Sequence, residues 1–342
     1  MKKILNNKTL RFRLDKTVPG GKYVKKPKCN IACTWCHLDY FNNKEFAAIN
    51  NVDFYNIIKR VIDVTSSKNA SIRFAGSSDP TLAGVQELED LIQKLDSISQ
   101  VSRISMTTNG ILLGGMINRL EDAGLSDVTI SLNSLTRDGY IKYAQRDKLN
   151  AVLDSIEMVL NTHIPLKINM LYTKINENEI NAFEELSSKN NGIPIKVIDL
   201  LQTNGKNSLY LPLEDLYAQI KEKIVDVCEE EWPYKKTKYT LKSGAVFIFK
   251  SSTQKNNCSN LNCAVRDKCT EGCRHSVRIG LDGLLKPCGV RNDNTLQCLD
   301  EQVSNNDIIY ALTSGGKLSY ENVPSENGRK PSYIKQVGEL SY

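Results

Sequence analysis

Long apolar runs are missing from this 342-residue sequence, and with them a membrane span. The opening stretch MKKILNNKTLRFRLDK is charged and lacks the apolar centre of a secretory signal. No signal peptide is therefore expected, and the cytoplasm is the expected location. No concentrated basic tract with interleaved aromatics is present, so nucleic acid is not an expected partner. Internal repeats and low-complexity tracts are missing too. Histidine is scarce: His37, His163 and His275 are the only three, and none stands in a pattern that carries chemistry. The formal net charge of +6 is modest; it suits an anionic small molecule without requiring one.

Cysteine is what the chain has in excess. Ten are present, nine of them in two groups, Cys29 to Cys36 and Cys258 to Cys298, with Cys228 apart. A reducing cytosol does not favour ten cysteines as a disulfide framework. Clustered thiolates there point to metal or iron–sulfur ligation. The first group reads KCNIACTWCH, a C-x3-C-x2-C spacing of Cys29, Cys33 and Cys36. A structural zinc wants four ligands, and His37 is an awkward fourth because it adjoins Cys36. A 4Fe–4S cluster with three protein thiolates leaves one iron open to a substrate or cofactor. Spacing alone leaves both readings standing. Cys228 is expected to be a small buried residue on a helix.

Strand-like runs alternate with amphipathic helix-length segments. Strands are expected at 9–14, 71–76, 103–110, 127–135, 166–173 and 195–202, and helices at 84–98, 114–124, 149–162 and 178–189. Such alternation implies a parallel sheet of βαβ units, and six of them make a full or partial α/β barrel over residues 1–205. Past Leu201 the pattern changes. A helix is expected over 212–230 and a hairpin over 238–250 around Ser243-Gly244, within a C-terminal unit covering 206–320. Asp282-Gly283 reads as a turn between two strands. Residues 321–342 are polar and are expected to form a loosely held tail.

With Trp35 before its third cysteine, the loop resembles the signature of the radical S-adenosylmethionine (SAM) superfamily. The resemblance implies a (β/α)6 partial barrel and a 4Fe–4S cluster on Cys29, Cys33 and Cys36. It further implies that the open iron binds SAM and that reductive cleavage gives a 5′-deoxyadenosyl radical, which abstracts a substrate hydrogen. An electron donor such as flavodoxin or ferredoxin is implied as partner. Further stretches match in order. RFAGSSDP, with Gly76, Ser77, Ser78 and Asp79, stands where the family has a Gly-Gly-Glu-Pro-like loop. MTTNG carries Thr108 and Asn109, ISLNSL carries Ser131 and Asn133, and KINML carries Asn169. These residues and Trp35 are the implied SAM contacts.

Within the superfamily the chain resembles the GTP 3′,8-cyclase group of molybdenum-cofactor biosynthesis, from about residue 10 to about residue 290. Arg73, Lys167 and Lys196 fall on strands where that group places cations toward its triphosphate substrate. CTEGCRHSVRIGLDGLLKPC resembles its auxiliary-cluster region, a C-terminal iron–sulfur extension. The implied ligands of a second 4Fe–4S cluster are Cys269, Cys273 and Cys288, with Cys263 as the fourth and Cys258 and Cys298 as competitors; Arg278 is the implied substrate arginine. Departures are specific. The spacing C-x3-C-x14-C is one residue longer in each gap, Ser276 stands where a second arginine is expected, and the sequence ends GELSY rather than Gly-Gly. The leading expectation is a paralogue acting on a small, anionic or nucleotide-like substrate. The alternatives are a peptide-modifying member with a SPASM- or twitch-type extension, a GTP 3′,8-cyclase, and a non-catalytic iron–sulfur or zinc protein.

Overall fold

Alternating burial along each strand divides the molecule into two faces. The computed structural model describes residues 10–24, 29–34, 36, 45–200, 207–230, 236–251, 277–287 and 295–314. The first strand, β1 (Leu10–Leu14), reads LRFRL; Phe12 and Leu14 are buried, and Arg11 and Arg13 take the other face. The same alternation runs through β4 (Ala70–Phe74), β7 (Leu166–Tyr172) and β8 (Pro194–Asp199). Between them lie β5 (Val101–Thr108) and β6 (Asp127–Ser131). These six strands pair in the order β1-β4-β5-β6-β7-β8, every pair parallel. They are the six strands legible in the sequence, joined as a partial barrel.

Helices cover the apolar face. α1 (Asn51–Thr65) begins with a capping box in which Asn50 and Asp53 bond each other's backbone N–H, satisfying donors that a helix start leaves open. α2 (Val85–Asp96), α3 (Ile117–Asp122), α4 (Arg137–Ala144), α5 (Leu149–Leu160) and α6 (Ile180–Lys189) follow the strands in turn. Their apolar stripes pack on Ile72, Phe74, Ile104, Met106, Ile130 and Ile168 in one continuous core. Each fully buried side chain of this size contributes roughly 1.5–3 kcal/mol.

Among the described residues, the C-terminal strands join the sheet of the barrel. β11 (Val246–Lys250) pairs parallel with β8, and β12 (Val277–Ile279) pairs parallel with β1. Antiparallel strands then finish both ends: β10 (Lys236–Leu241) and β9 (Ile224–Glu230) beyond β11, β13 (Leu284–Lys286) and β14 (Leu296–Gln297) beyond β12. One twelve-stranded sheet results.

The expected hairpin is β10–β11, and Asp282-Gly283 does turn β12 into β13. The helix expected over 212–230 is corrected. α7 (Leu213–Ile220) stops after eight residues, one 3-10 turn follows, and the chain becomes β9. Ile224, Val225 and Val227 are β-branched, which favours a strand there. Cys228 therefore lies on an exposed strand, not buried on a helix. α8 (Asn305–Ser314) packs on α1, where Arg60 donates to the carbonyls of Cys298 and Val303. Among the described residues no helix is long and apolar enough to cross a membrane.

Candidate active site

Catalytic groups of an α/β barrel gather at the C-terminal ends of its strands, and the cysteine loop leaves the end of β1. Two short strands, β2 (Tyr23–Val24) and β3 (Phe46–Ala47), pair antiparallel and tie its ends together. The loop is then fastened to the last turn of α4. Ala32 N–H donates to the Ala144 carbonyl at 3.0 Å and Thr34 N–H to the Tyr143 carbonyl at 3.1 Å. Thr34 Oγ1 donates to the Lys142 carbonyl at 2.8 Å. The carbonyls that end α4 are thus satisfied by the loop. Cys29 is exposed, while Cys33 and Cys36 are half-buried. Burial pushes the Cys33 thiol up to about 11, against a hydrogen bond from the Tyr143 side chain that lowers it. Trp35 lies outside the described residues, as do His37, Cys258, Cys263, Cys269, Cys273, His275, Ser276 and Cys288.

The loop after β4 presses on β1. A Cβ at Gly76 would sit 2.0 Å from Asp15 Oδ1 and 2.7 Å from Asp15 Cα, so only glycine permits this approach. Burial pushes the Asp15 carboxyl up, and Ser77 beside it pulls the other way. The hydroxyls of Ser77 and Ser78, Asn169 Oδ1 and Asn30 Nδ2 are among the buried polar atoms that find no hydrogen-bond partner among the described residues. Buried polar atoms seldom lack partners, and these four lie on the cysteine loop, the loop after β4 and strand β7.

Asp79 does different work. Its carboxylate accepts from Thr81 N–H at 3.0 Å, Thr81 Oγ1 at 2.5 Å, Thr108 Oγ1 at 2.9 Å and Asn109 N–H at 2.5 Å. Four donors occupy its lone pairs, so it staples the loop after β4 to the end of β5. Asn109 Nδ2 then reaches Asn30 Oδ1 at 2.6 Å and Cys29 Sγ at 3.7 Å. Asn133 is committed to the sheet: its Oδ1 accepts from Leu171 N–H at 2.7 Å. Ser131 and Asn169 stand in register with Lys196 on neighbouring strands.

Cations occupy the face opposite the helices. Arg278, Arg13 and Arg73 are in register on three adjacent parallel strands, and Lys286 pairs with Arg278 across the hairpin. Arg73 Nε donates to Ser105 Oγ at 3.1 Å. Burial pushes Lys196 down to about 7, with Lys250, Arg73, Lys167 and Lys236 adding like charge. Lys167 is lowered by burial and then by Arg73 and Lys236. Arg73, Lys167 and Lys196 are thus brought near one another. Arg13, Lys250 and Tyr143 were not expected there; the alternation in LRFRL held the signal for Arg13. Cys298 is buried in the core, and burial pushes its thiol up to about 12.

The family model described as Radical SAM superfamily matches residues 23–187. A GTP 3′,8-cyclase of Clostridium botulinum (strain Hall) is 32% identical over 322 residues, covering 91% of this chain and 94% of the relative. The chain belongs to the radical SAM superfamily. A GTP 3′,8-cyclase of Helicobacter pylori (strain J99) is 31% identical over 271 residues, 76% of this chain and 77% of the relative. Among solved structures, anSMEcpe with bound AdoMet is 16% identical with a TM-score of 0.62, covering 90% of this chain and 78% of that one. That likeness concerns the fold.

Membership makes this a radical SAM enzyme and implies a 4Fe–4S cluster and SAM. The residues present fit both. Three thiols, the ligands such clusters favour, lie on one anchored loop. Among the described residues no three His, Cys, Asp or Glu side chains could share a single metal ion; a cluster takes one thiolate per iron and spaces its ligands further apart. The four partnerless polar atoms suit a ligand rich in amino, carboxylate and hydroxyl groups.

Proposed function

We propose that this radical SAM enzyme removes a hydrogen atom from a small, polyanionic, nucleotide-like molecule held by the barrel's interior cations. The observation that carries the reading is the in-register row Arg278–Arg13–Arg73, facing the lysines of β7, β8 and β11. Lys167 and Lys196 are lowered in part by like charge around them, which a bound polyanion would offset.

Cys29, Cys33 and Cys36 hold the cluster. Gly76 to Ser78, Thr108, Asn109, Ser131 and Asn169 receive SAM, Trp35 covers its adenine, and Asp79 and Asn133 hold those residues in place. When bound, cluster and SAM supply a 5′-deoxyadenosyl radical that takes the substrate hydrogen. The protein contributes position, a dry cavity and charge complementarity. The arginines grip phosphate oxygens in pairs, and Lys196 adds a proton-dependent charge. Cys269, Cys273 and Cys288, with Cys263, carry a second cluster, and an acidic flavodoxin or ferredoxin in the cytoplasm delivers the electron.

GTP 3′,8-cyclisation is the second reading, favoured by the names of the relatives. Ser276 in place of an arginine and the longer cysteine spacing weigh for a paralogue with another substrate. The test is label transfer. Reduced, reconstituted enzyme is incubated with SAM and deuterated nucleotides, GTP among them, or with peptides. Deuterium should enter 5′-deoxyadenosine from a phosphorylated nucleotide other than GTP. Transfer from peptides alone would overturn the polyanion reading, and efficient turnover of GTP would establish the second.

A further inference from the structure

On the reading that Cys29 ligates the SAM-binding cluster, we infer that the side-chain amide of Asn109 raises the cluster's reduction potential by donating to the Cys29 sulfur. Asn109 is buried just past the end of β5, and its neighbours fix its orientation. Its backbone N–H donates to Asp79 Oδ2 at 2.5 Å, and its Oδ1 accepts from Ile111 N–H at 3.1 Å. A backbone N–H can meet only the oxygen of the amide, so the nitrogen is the end that faces the cysteine loop. That Nδ2 donates to Asn30 Oδ1 at 2.6 Å and to Cys29 Sγ at 3.7 Å, and it has a hydrogen for each. As a thiol, Cys29 also donates to Asn30 Oδ1, at 3.6 Å. A thiolate has no hydrogen to give, so ligation leaves Asn109 as the hydrogen-bond partner of that sulfur among the described residues.

The direction of the effect follows from charge. Reduction adds one electron from an external donor and moves no proton, so the cluster becomes more negative. Hydrogen bonds strengthen as the acceptor gains charge. A donor to a ligand sulfur therefore stabilises the reduced state more than the oxidised one and raises the potential. The bond is present in both states, so only its strengthening counts. That increment is a fraction of the worth of a hydrogen bond to a charged group, about threefold in the reduction equilibrium. A one-electron couple moves 59 mV for a tenfold change, so threefold is about 28 mV.

Asn109→Leu keeps the branching of the side chain and removes the donor. The full chain is reconstituted with iron and sulfide and titrated with dithionite in the absence of SAM. Reduction is followed through the EPR signal that the Cys29, Cys33, Cys36→Ala variant lacks. Asn109→Leu should keep its iron but titrate about 28 mV lower, with the ratio of reduced to oxidised cluster about threefold smaller at a given potential. Should Asn109→Leu load no cluster, the wild-type chain decides. It is made with asparagine carrying 15N in the side-chain amide alone, and pulsed EPR of the reduced cluster should show a nitrogen coupling that changes with the label. Asn30→Asp keeps the acceptor for Asn109 and removes the neighbouring amide nitrogen, so the coupling should survive it. An Asn109→Leu potential equal to wild type overturns the inference. So does a wild-type chain without label-dependent coupling, or a coupling lost in Asn30→Asp. A wild-type chain with no cluster signal dependent on Cys29, Cys33 and Cys36 instead overturns the ligand assignment beneath it.

Discussion

Lys196 is the residue whose chemistry depends most on its surroundings. It shares the interior with Lys250, Arg73, Lys167 and Lys236, and its folded pKa is about 7 against an ordinary 10.5. Free enzyme above pH 7 therefore carries it mostly neutral. An anion seated beside it favours the charged form and raises the pKa, so binding above pH 7 takes up a proton. Affinity for an anion should be highest below pH 7 and should weaken by up to about tenfold per pH unit as pH rises through that value. Sulfate is a suitable probe because its own charge does not change in this range. Calorimetry at pH 6 and pH 8.5, in two buffers of different ionisation enthalpy, measures both affinity and proton uptake. Lys196→Met should abolish the uptake at pH 8.5 and weaken binding at pH 6. Uptake that persists in Lys196→Met would place the titrating group elsewhere, with Lys167 the next candidate because burial and neighbouring cations also lower it.

At the scale of elements, one carboxylate joins the ends of two strands. Asp79 caps the 3-10 turn Pro80–Ala83 after β4 and accepts from Thr108 and Asn109 at the end of β5. Asp79→Ala would leave four donors without their acceptor, all of them in the buried residues Thr81, Thr108 and Asn109. A loss of about 3 kcal/mol in urea unfolding is expected, together with weaker SAM binding. Asp79→Asn keeps the shape and should lose less. An Asp79→Ala chain as stable as wild type would show that the loop holds itself. This junction also marks how far sequence carries. The periodicity of six strands, the C-x3-C-x2-C loop and the TTNG end of β5 are local signals, and all could be seen in the chain. That Asp79 bonds inward could not, because Thr108 and Asn109 are 29 and 30 residues away and meet it only through parallel pairing. Arg13 stands in plain alternation, yet it becomes a site residue only once β1 lies between β4 and β12. The segment 221–230 misled for a different reason. A short helix runs into a short strand there without a proline or glycine to mark the change, so one helix-length window covered two elements.

For the whole molecule, the seam between β1 and β12 ties the C-terminal region to the catalytic barrel. Through it Arg278 joins the row of Arg13 and Arg73, so a substrate held by that row touches both parts of the chain. The same hairpin bears on the second cluster. The pairing of Arg278 with Lys286 brings the open ends of β12 and β13 side by side. In the sequence Cys273 precedes Val277, the first residue of β12, by four residues, and Cys288 follows Lys286, the last of β13, by two. In the proposed second cluster Cys273 and Cys288 would supply two of four thiolates, and Cys269 and Cys263 the other two. A chain carrying two 4Fe–4S clusters should bind about eight irons. Cys269, Cys273, Cys288→Ala should retain about four, with the SAM-dependent EPR change intact, and the complementary Cys29, Cys33, Cys36→Ala variant should retain the other four and lose that change. Wild-type protein that holds about four irons, all lost with Cys29, Cys33 and Cys36, would exclude the second cluster; zinc recovered from the C-terminal cysteines would assign them a structural role instead.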